Sequence, residues 1–206
     1  MKSSIALVLA AVTLLQLTAE GETAACTSSV TATSKLVKDK YFKDGWYVTH
    51  FKAVQVPAKY STTASKYCAY TVGKVNGNEV TEVLSHYNSL TKSSIYDKSK
   101  VTLNGDIYTG KFDAVDKGGQ DTGPTGTYTV TVLDTDNDNY AITHLCVPSG
   151  SEVFELYTIA NRQKDGTHAG VSSGLSSASL KLSEFTSTQN LDCKYEEATA
   201  KSLLTK

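Results

Sequence analysis

Val80-Thr81-Glu82-Val83-Leu84-Ser85-His86-Tyr87 reads as a β-strand with its chemistry on one side. Successive strand side chains point to opposite faces. Val80, Glu82, Leu84 and His86 therefore share one face, and Thr81, Val83, Ser85 and Tyr87 share the other. A carboxylate and an imidazole four residues apart point the same way, with aliphatic residues before and between them. Facing a cavity, such a row is a ligand site; facing water, it is an ordinary mixed strand. The flanking chain decides between the two.

Immediately upstream, Asn76-Gly77-Asn78 is a strong hairpin turn, preceded by a strand candidate over Lys66–Gly73. Gly45–Phe51 is the first strand, rich in aromatic and β-branched residues, and its Trp46, the only tryptophan, reads as a core anchor. Before it, Lys35–Phe42 suits a short helical turn; after it, Val54–Ser65 is a loop around Pro57. Downstream, strands are predicted at Ser93–Tyr96 and Asp106–Phe112 on either side of Asn104-Gly105, then at Thr127–Leu133, where Tyr128, Val130 and Val132 share a face. Asp116–Gly126, with four glycines and Pro124, reads as a long polar loop. Tyr140–Val147 and Val153–Ala160 follow, joined across Pro148-Ser149-Gly150. About eight short strands separated by turns favour a sandwich or barrel over a parallel sheet. Gly170–Leu182 carries Val171, Leu175, Ala178 and Leu182 at helical spacing, and Glu196–Leu204 suits a short final helix.

Met1-Lys2 followed by the mostly apolar Ile5–Leu17 and the small residues Ala19, Gly21, Ala24 and Ala25 has the form of a signal peptide, placed at residues 1–21. It is shorter than the roughly 20 apolar residues of a membrane span, so the mature chain, residues 22–206, is expected to be secreted, soluble and free of the membrane. About 185 residues suit a single domain with a substantial core. The net charge of −1 offers no basic excess to follow a phosphate backbone, so nucleic acid is not an expected partner. Cys26, Cys68, Cys146 and Cys193 are an even set in a secreted chain, which predicts two disulfides with three possible pairings. No Asn-x-Ser/Thr sequon occurs.

Eight meandering strands, an opening tryptophan strand, a late helix and four spread cysteines resemble the lipocalin fold: all-β, an eight-stranded antiparallel up-and-down barrel with a C-terminal helix. Lipocalins usually open with Gly-x-Trp, whereas Gly45 directly precedes Trp46. The narrower resemblance is to salivary lipocalins of blood-feeding bugs, the nitrophorin and triabin-like group. It is carried by Lys38-Asp39-Lys40-Tyr41-Phe42, Trp46–Phe51, Glu82–Asn88 and Lys201-Ser202-Leu203-Leu204-Thr205-Lys206. The resemblance implies the pairings Cys26–Cys146 and Cys68–Cys193. It also implies a barrel ligand: haem held by a histidine on this strand, as in nitric-oxide carriers, or biogenic amines, adenosine nucleotides or eicosanoids in haem-free relatives. Others of the group block clotting proteins.

Within that resemblance His86 occupies the position of the haem ligand, and it is the metal-binding residue if haem b is bound. Ser85 stands where the haem-binding pattern has tyrosine, and Phe154 where it has glycine. No carboxylate occurs from Val54 to Cys68, a loop that is acidic in the nitric-oxide carriers. The expected reading is therefore sequestration of a small mediator without a cofactor: ADP, or an amine such as serotonin or noradrenaline. Glu82, Leu84, His86, Val48 and Tyr128 are the expected cavity wall. Phe154, Lys52 and Lys59 are placed at the mouth, with Lys66 as a further candidate for a phosphate. An unpaired carboxylate on such a wall is costly; a cationic amine would offset that cost, and nearby aromatics could stack on its ring. His50, His144 and His168 lack metal-ligand spacing, and no Gly-x-Ser-x-Gly elbow supports hydrolysis, so an enzyme is not expected. A monomer is expected. Capture of such a mediator would inhibit platelet aggregation or vasoconstriction. A haem-based nitric-oxide carrier and a protein-binding anticoagulant are the alternatives.

Overall fold

The structure is a computed structural model that describes residues 25–26, 30–32, 35–58 and 67–206. The predicted leader, Lys59 and Lys66 lie outside these residues. A short helix α1 (Lys38–Tyr41) precedes eight strands: β1 (Trp46–Gln55), β2 (Tyr67–Asn76), β3 (Glu79–Asn88), β4 (Ser93–Asn104), β5 (Ile107–Val115), β6 (Asp121–Thr135), β7 (Tyr140–Ser149) and β8 (Glu152–Asn161). Each pairs antiparallel with the next, and β1 also pairs with β8, closing an eight-stranded up-and-down barrel. The β1–β2 seam is short, Trp46 opposite Thr71 and Tyr47 opposite Tyr70. Further along, the β1 edge pairs with a two-residue strand, β9 (Thr186–Ser187), at His50 and Phe51. Closure removes the exposed edges that make an open sheet prone to aggregation.

Two segments differ from the sequence expectation. The polar loop predicted over Asp116–Gly126 is only half a loop: β6 begins at Asp121, and Asp116 tightens the turn by accepting the Gly118 and Gln120 amides on Oδ1 at 2.7 and 2.9 Å. Pro124 is tolerated in the strand because this part of β6 pairs only with β5; pairing with β7 starts at Thr129. The helix expected over Gly170–Leu182 stops earlier, as α2 (Gly170–Ser177). Ser179 turns left-handed, φ 57°, and the Leu180 amide donates back to the Leu175 carbonyl at 2.8 Å, which satisfies a helix-end acceptor.

Alternation along each strand separates two environments. Val80, Val101, Tyr108, Val130, Val132, Ala141, Ala160 and Trp46 point inward and pack with Tyr41 and Phe42 of the α1 region to plug one end. On the outside, α2 buries Val171 and Leu175 against Leu133, Tyr140, Ile142 and Ile159. A final helix, α3 (Glu197–Leu203), buries Ala200 and Leu203 against Tyr70, Val72, Val83, Tyr96 and Val115. Disulfides Cys26–Cys146 and Cys68–Cys193, with Cα–Cα distances of 6.1 and 5.8 Å, tie the segments before β1 and after β9 to the barrel wall. This is the pairing that the family resemblance implies.

The plugged end is held by one cation. The Arg162 guanidinium lies 3.4 Å from the Trp46 ring centroid. It donates to the backbone carbonyls of Lys40 and Tyr41 at 3.0 Å, Asn137 at 2.9 Å and Gly45 at 3.3 Å, and also to Asp44. Trp46 Nε1 donates to the same Tyr41 carbonyl at 2.9 Å. Lysine cannot reproduce this planar fork. Arg162→Ala is expected to lower the unfolding free energy by about 3 kcal/mol, and Arg162→Lys to recover less than half of it; urea midpoints of the three proteins measure both.

Candidate functional site

The site is built from inward positions of β2 to β6 above the plug. Gly73 is opposite Glu82, Glu82 opposite Ser99, and Ser99 opposite Phe112. One step further from the plug, Thr71 is opposite Leu84 and Leu84 opposite Asp97; beyond these, Ala69, His86 and Ile95 form the next row. The quoted stretch therefore does turn Val80, Glu82, Leu84 and His86 inward, in that order from the plug toward the open end. Thr81, Val83, Ser85 and Tyr87 face outward, and Val83 packs into the cluster beneath α3.

Solvent exposure distinguishes the two ends of the barrel. Inward side chains at the plug are buried, whereas Leu84, His86, Asp97, Phe112, Leu145, Leu156 and Thr158 face the barrel axis and are still half-buried. Half-buried inward residues thus mark the end of the barrel opposite the plug. Glu82 lies between them and the plug, with 5% of the residue exposed.

Both oxygens of the Glu82 carboxyl are held by hydroxyls. Thr71 Oγ1 donates to Oε1 at 3.0 Å and the Tyr128 hydroxyl donates to Oε2 at 2.5 Å. Ser99 Oγ lies 2.8 Å from the same Tyr128 oxygen. Burial pushes the Glu82 pKa above the usual glutamate range, and the Tyr128 and Thr71 hydrogen bonds, which favour the charged form, oppose this without cancelling it. Tyr128 is itself pushed well up, first by burial and then by the Glu82 charge, so it stays a neutral donor. The Tyr128 ring lies across Gly110, where an added Cβ would come within 2.4 Å of it, and the Phe112 ring lies across Gly126 in the same way, at 2.7 Å. The two rings are 6.4 Å apart and tilted by 40°, forming an aromatic wall beside the carboxyl.

Nearer the opening, His86 Nε2 is 2.9 Å from Asp97 Oδ2, with side-chain exposures of 30% and 21%. The imidazole nitrogen is thus engaged by a carboxylate. Asp97 was missed in the sequence because the strand was predicted to end at Tyr96. Extending the alternation through Ile95, Asp97, Ser99 and Val101 would have put it beside His86. Thr71 and Ser99 carried no signal beyond ordinary strand composition.

Val48 faces inward opposite Ala160, and Phe154 faces inward opposite Val147 at the β7–β8 end. Lys52, expected at the mouth, is on the outer surface instead: a bulge at Thr49 leaves it opposite Tyr157, whose ring lies 5.8 Å from its ammonium, and it pairs with Glu184 at 3.2 Å. The other histidines stand apart from this site. His144 is buried on the outer face, 2.8 Å from Glu155; His50 contacts Thr49; and His168 stacks on Tyr140. At the strand positions facing the axis, the described residues include the acids Glu82, Asp97 and, at the rim, Glu152, and no lysine or arginine.

Comparison with known proteins agrees with this architecture. The chain is 36% identical to nitrophorin-3 of Rhodnius prolixus over 199 residues, covering 92% of this chain and 95% of that protein. Its fold matches the tryptamine complex of the amine-binding protein of Rhodnius prolixus, with a TM-score of 0.75, 27% identity, and coverage of 87% and 95%. A biogenic amine-binding protein in selenomethionine form matches with a TM-score of 0.74, 26% identity, and coverage of 87% and 96%. Residues 26–203 match the Nitrophorin family, and the chain belongs to it.

Proposed function

We propose that this chain sequesters a small aromatic amine in its barrel, with the ammonium group paired to Glu82 and the ring against Tyr128 and Phe112. The observation that carries the reading is a buried carboxyl at an inward strand position, supported by hydroxyl donors, with acids and no basic residue at the described inward strand positions. Such a group is costly to ionise in isolation, and an incoming cation offsets that cost. Asp97 adds negative potential along the entry route. The resemblance to a protein solved with tryptamine supports the same ligand class. Capture of this kind is stoichiometric and needs submicromolar affinity to act at mediator concentrations. Secreted into a host wound, such a protein would blunt amine-driven vasoconstriction and platelet activation.

ADP fits this wall less well, since its phosphates would meet Glu82 and Asp97. Haem also fits poorly as the side chains stand, because the Nε2 atom that would bind iron is held by Asp97. Family membership keeps haem as the second reading. When bound, it would supply an iron centre for a diatomic ligand, and His86 is the residue that would hold it.

Calorimetric titration with tryptamine and serotonin tests the leading reading. Wild type is expected to bind with a 1:1 stoichiometry, and Glu82→Gln to bind about 10- to 100-fold more weakly, the equivalent of losing a charge-assisted hydrogen bond worth about 1.5–3 kcal/mol. No heat with either amine sinks the proposal. A haemin titration separates the second reading: a Soret band that disappears in His86→Ala would establish it in place of amine capture.

The pH dependence follows from the raised Glu82 pKa. A carboxyl with a folded-state value above 4.5 holds its proton more tightly folded than unfolded. Its contribution to stability is complete below that value and is lost as pH rises through the higher, folded one. Amine affinity has the opposite slope: it is expected to rise with pH over the same window, with proton release from Glu82 accompanying ligand capture. Titrations in buffers of different ionisation enthalpy measure that proton, and Glu82→Gln should abolish it.

A further inference from the structure

The outward face of β2 to β5 is basic in a way that the interior site does not require. Lys74 is opposite Thr81, Thr81 opposite Lys100, Lys100 opposite Lys111, and Lys111 opposite Thr127. One row perpendicular to the strands therefore carries three lysines, all exposed. At about 4.8 Å between strands it spans roughly 14 Å from Lys74 to Lys111. Lys98, in the next row, is opposite Asp113. Glu79 is diagonal to Lys74 and Lys100.

Lys100 and Lys111 face each other directly, an arrangement of like charges that weakens a sheet. Among the described residues, Lys35, Lys40, Lys52, Lys92 and Lys117 each have a carboxylate partner, and Lys74, Lys100 and Lys111 have none. With a net charge of −1 for the whole chain, this is local concentration and not a general basic excess. The rest of the face is hydroxylated: Thr102, Thr109, Thr125 and Thr127 are exposed around the row. The exposed large apolar side chains, Val37, Val54, Leu90, Ile95 and Leu182, lie off it. A surface of this kind has no apolar component to bury in a bilayer, which stable membrane attachment needs.

We propose that this row binds an extended sulfated polysaccharide laid across the four strands. Ammonium groups in single file match the repeated anionic groups of such a chain, and the flanking threonine hydroxyls can donate to sulfate oxygens. The two disulfides suit an oxidising extracellular compartment, where this class of polyanion is found. Because these side chains leave the sheet on the side opposite Glu82, attachment leaves the barrel interior free.

Retention of the full chain on immobilised heparin, with salt elution, tests the idea against two triple variants. Lys74→Gln/Lys100→Gln/Lys111→Gln is expected to lose retention at low salt, while Lys43→Gln/Lys164→Gln/Lys194→Gln, which removes the same charge from exposed positions elsewhere, keeps it. The slope of log affinity against log salt should fall by about 2–3 in the first variant, as counterion release predicts for lost point contacts on a polyanion. Its thermal midpoint should equal or exceed that of wild type, since the Lys100–Lys111 repulsion is removed; this separates lost binding from lost folding. Equal loss in both variants, no retention of wild type at low ionic strength, or capture by phosphatidylserine vesicles without capture by heparin each overturns the proposal.

Discussion

The stacking of Arg162 on Trp46 is the constraint on which the rest of the barrel depends. An up-and-down barrel has two open ends, and a ligand site needs one of them closed. Closure gathers backbone carbonyls of the α1 region, the start of β1 and the β6–β7 turn around one partly buried point outside the strand ladder, where a side-chain donor can hold them together. One guanidinium supplies donors to five of these carbonyls while its face covers the indole. Tyr41 and Phe42 are thereby held inside the barrel, packed beneath the level of Glu82.

Above them the position of the Glu82 carboxyl is set by neighbours lacking side-chain bulk. Gly73, opposite it in β2, makes room for the Phe42 ring beneath, and Gly110 lets the Tyr128 ring lie across β5 toward it. A methyl group at Gly110 would collide with that ring and turn the phenol away from Oε2, leaving Glu82 with Thr71 alone. The hydroxyl donors have two consequences. They donate to the charged carboxyl, a hydroxyl oxygen can accept its O–H when it is protonated, and they keep it oriented, so an incoming cation meets a preorganised partner and loses less to reordering.

Much of this was legible in the residue pattern, for reasons that can be stated. Period-two alternation sorted Val80–His86 into two faces, and the strand count with the barrel resemblance pointed to the inner one; a one-residue slip would exchange the two sets of side chains. The strand count came from turns with unambiguous chemistry, such as Asn76-Gly77 and Asn104-Gly105, whose glycines both take φ +62°. The extent of β6 was hidden by Gly123, Pro124 and Gly126, residues that usually mark loops. They are allowed here because one edge of that part of β6 has no partner in the sheet and because Gly126 accommodates the Phe112 ring. Lys52 was misplaced by a single bulge at Thr49, which shifts the register of β1 against β8 and sends its side chain outward. The role of Arg162 was not legible, since its partners are backbone atoms up to 122 residues away and carry no sequence signature.

The same strands therefore have opposite electrostatic character on their two sides, and a net charge of −1 conceals it. Glu82 and Lys100 are separated by one strand and one residue, yet their side chains leave the sheet in opposite directions. The lysine ammonium is in water, where a high dielectric and mobile ions screen it within about 10 Å. The carboxyl is buried, and its shift is governed by burial, Tyr128 and Thr71, with no lysine contributing. The basic exterior consequently leaves the interior attraction for a cation intact. Had the row faced inward, each ammonium would have paired with Glu82 and occupied the position an amine ligand needs. Alternation along β2 to β5 is thus what allows one wall to carry lysines outside and a carboxyl inside without either cancelling the other.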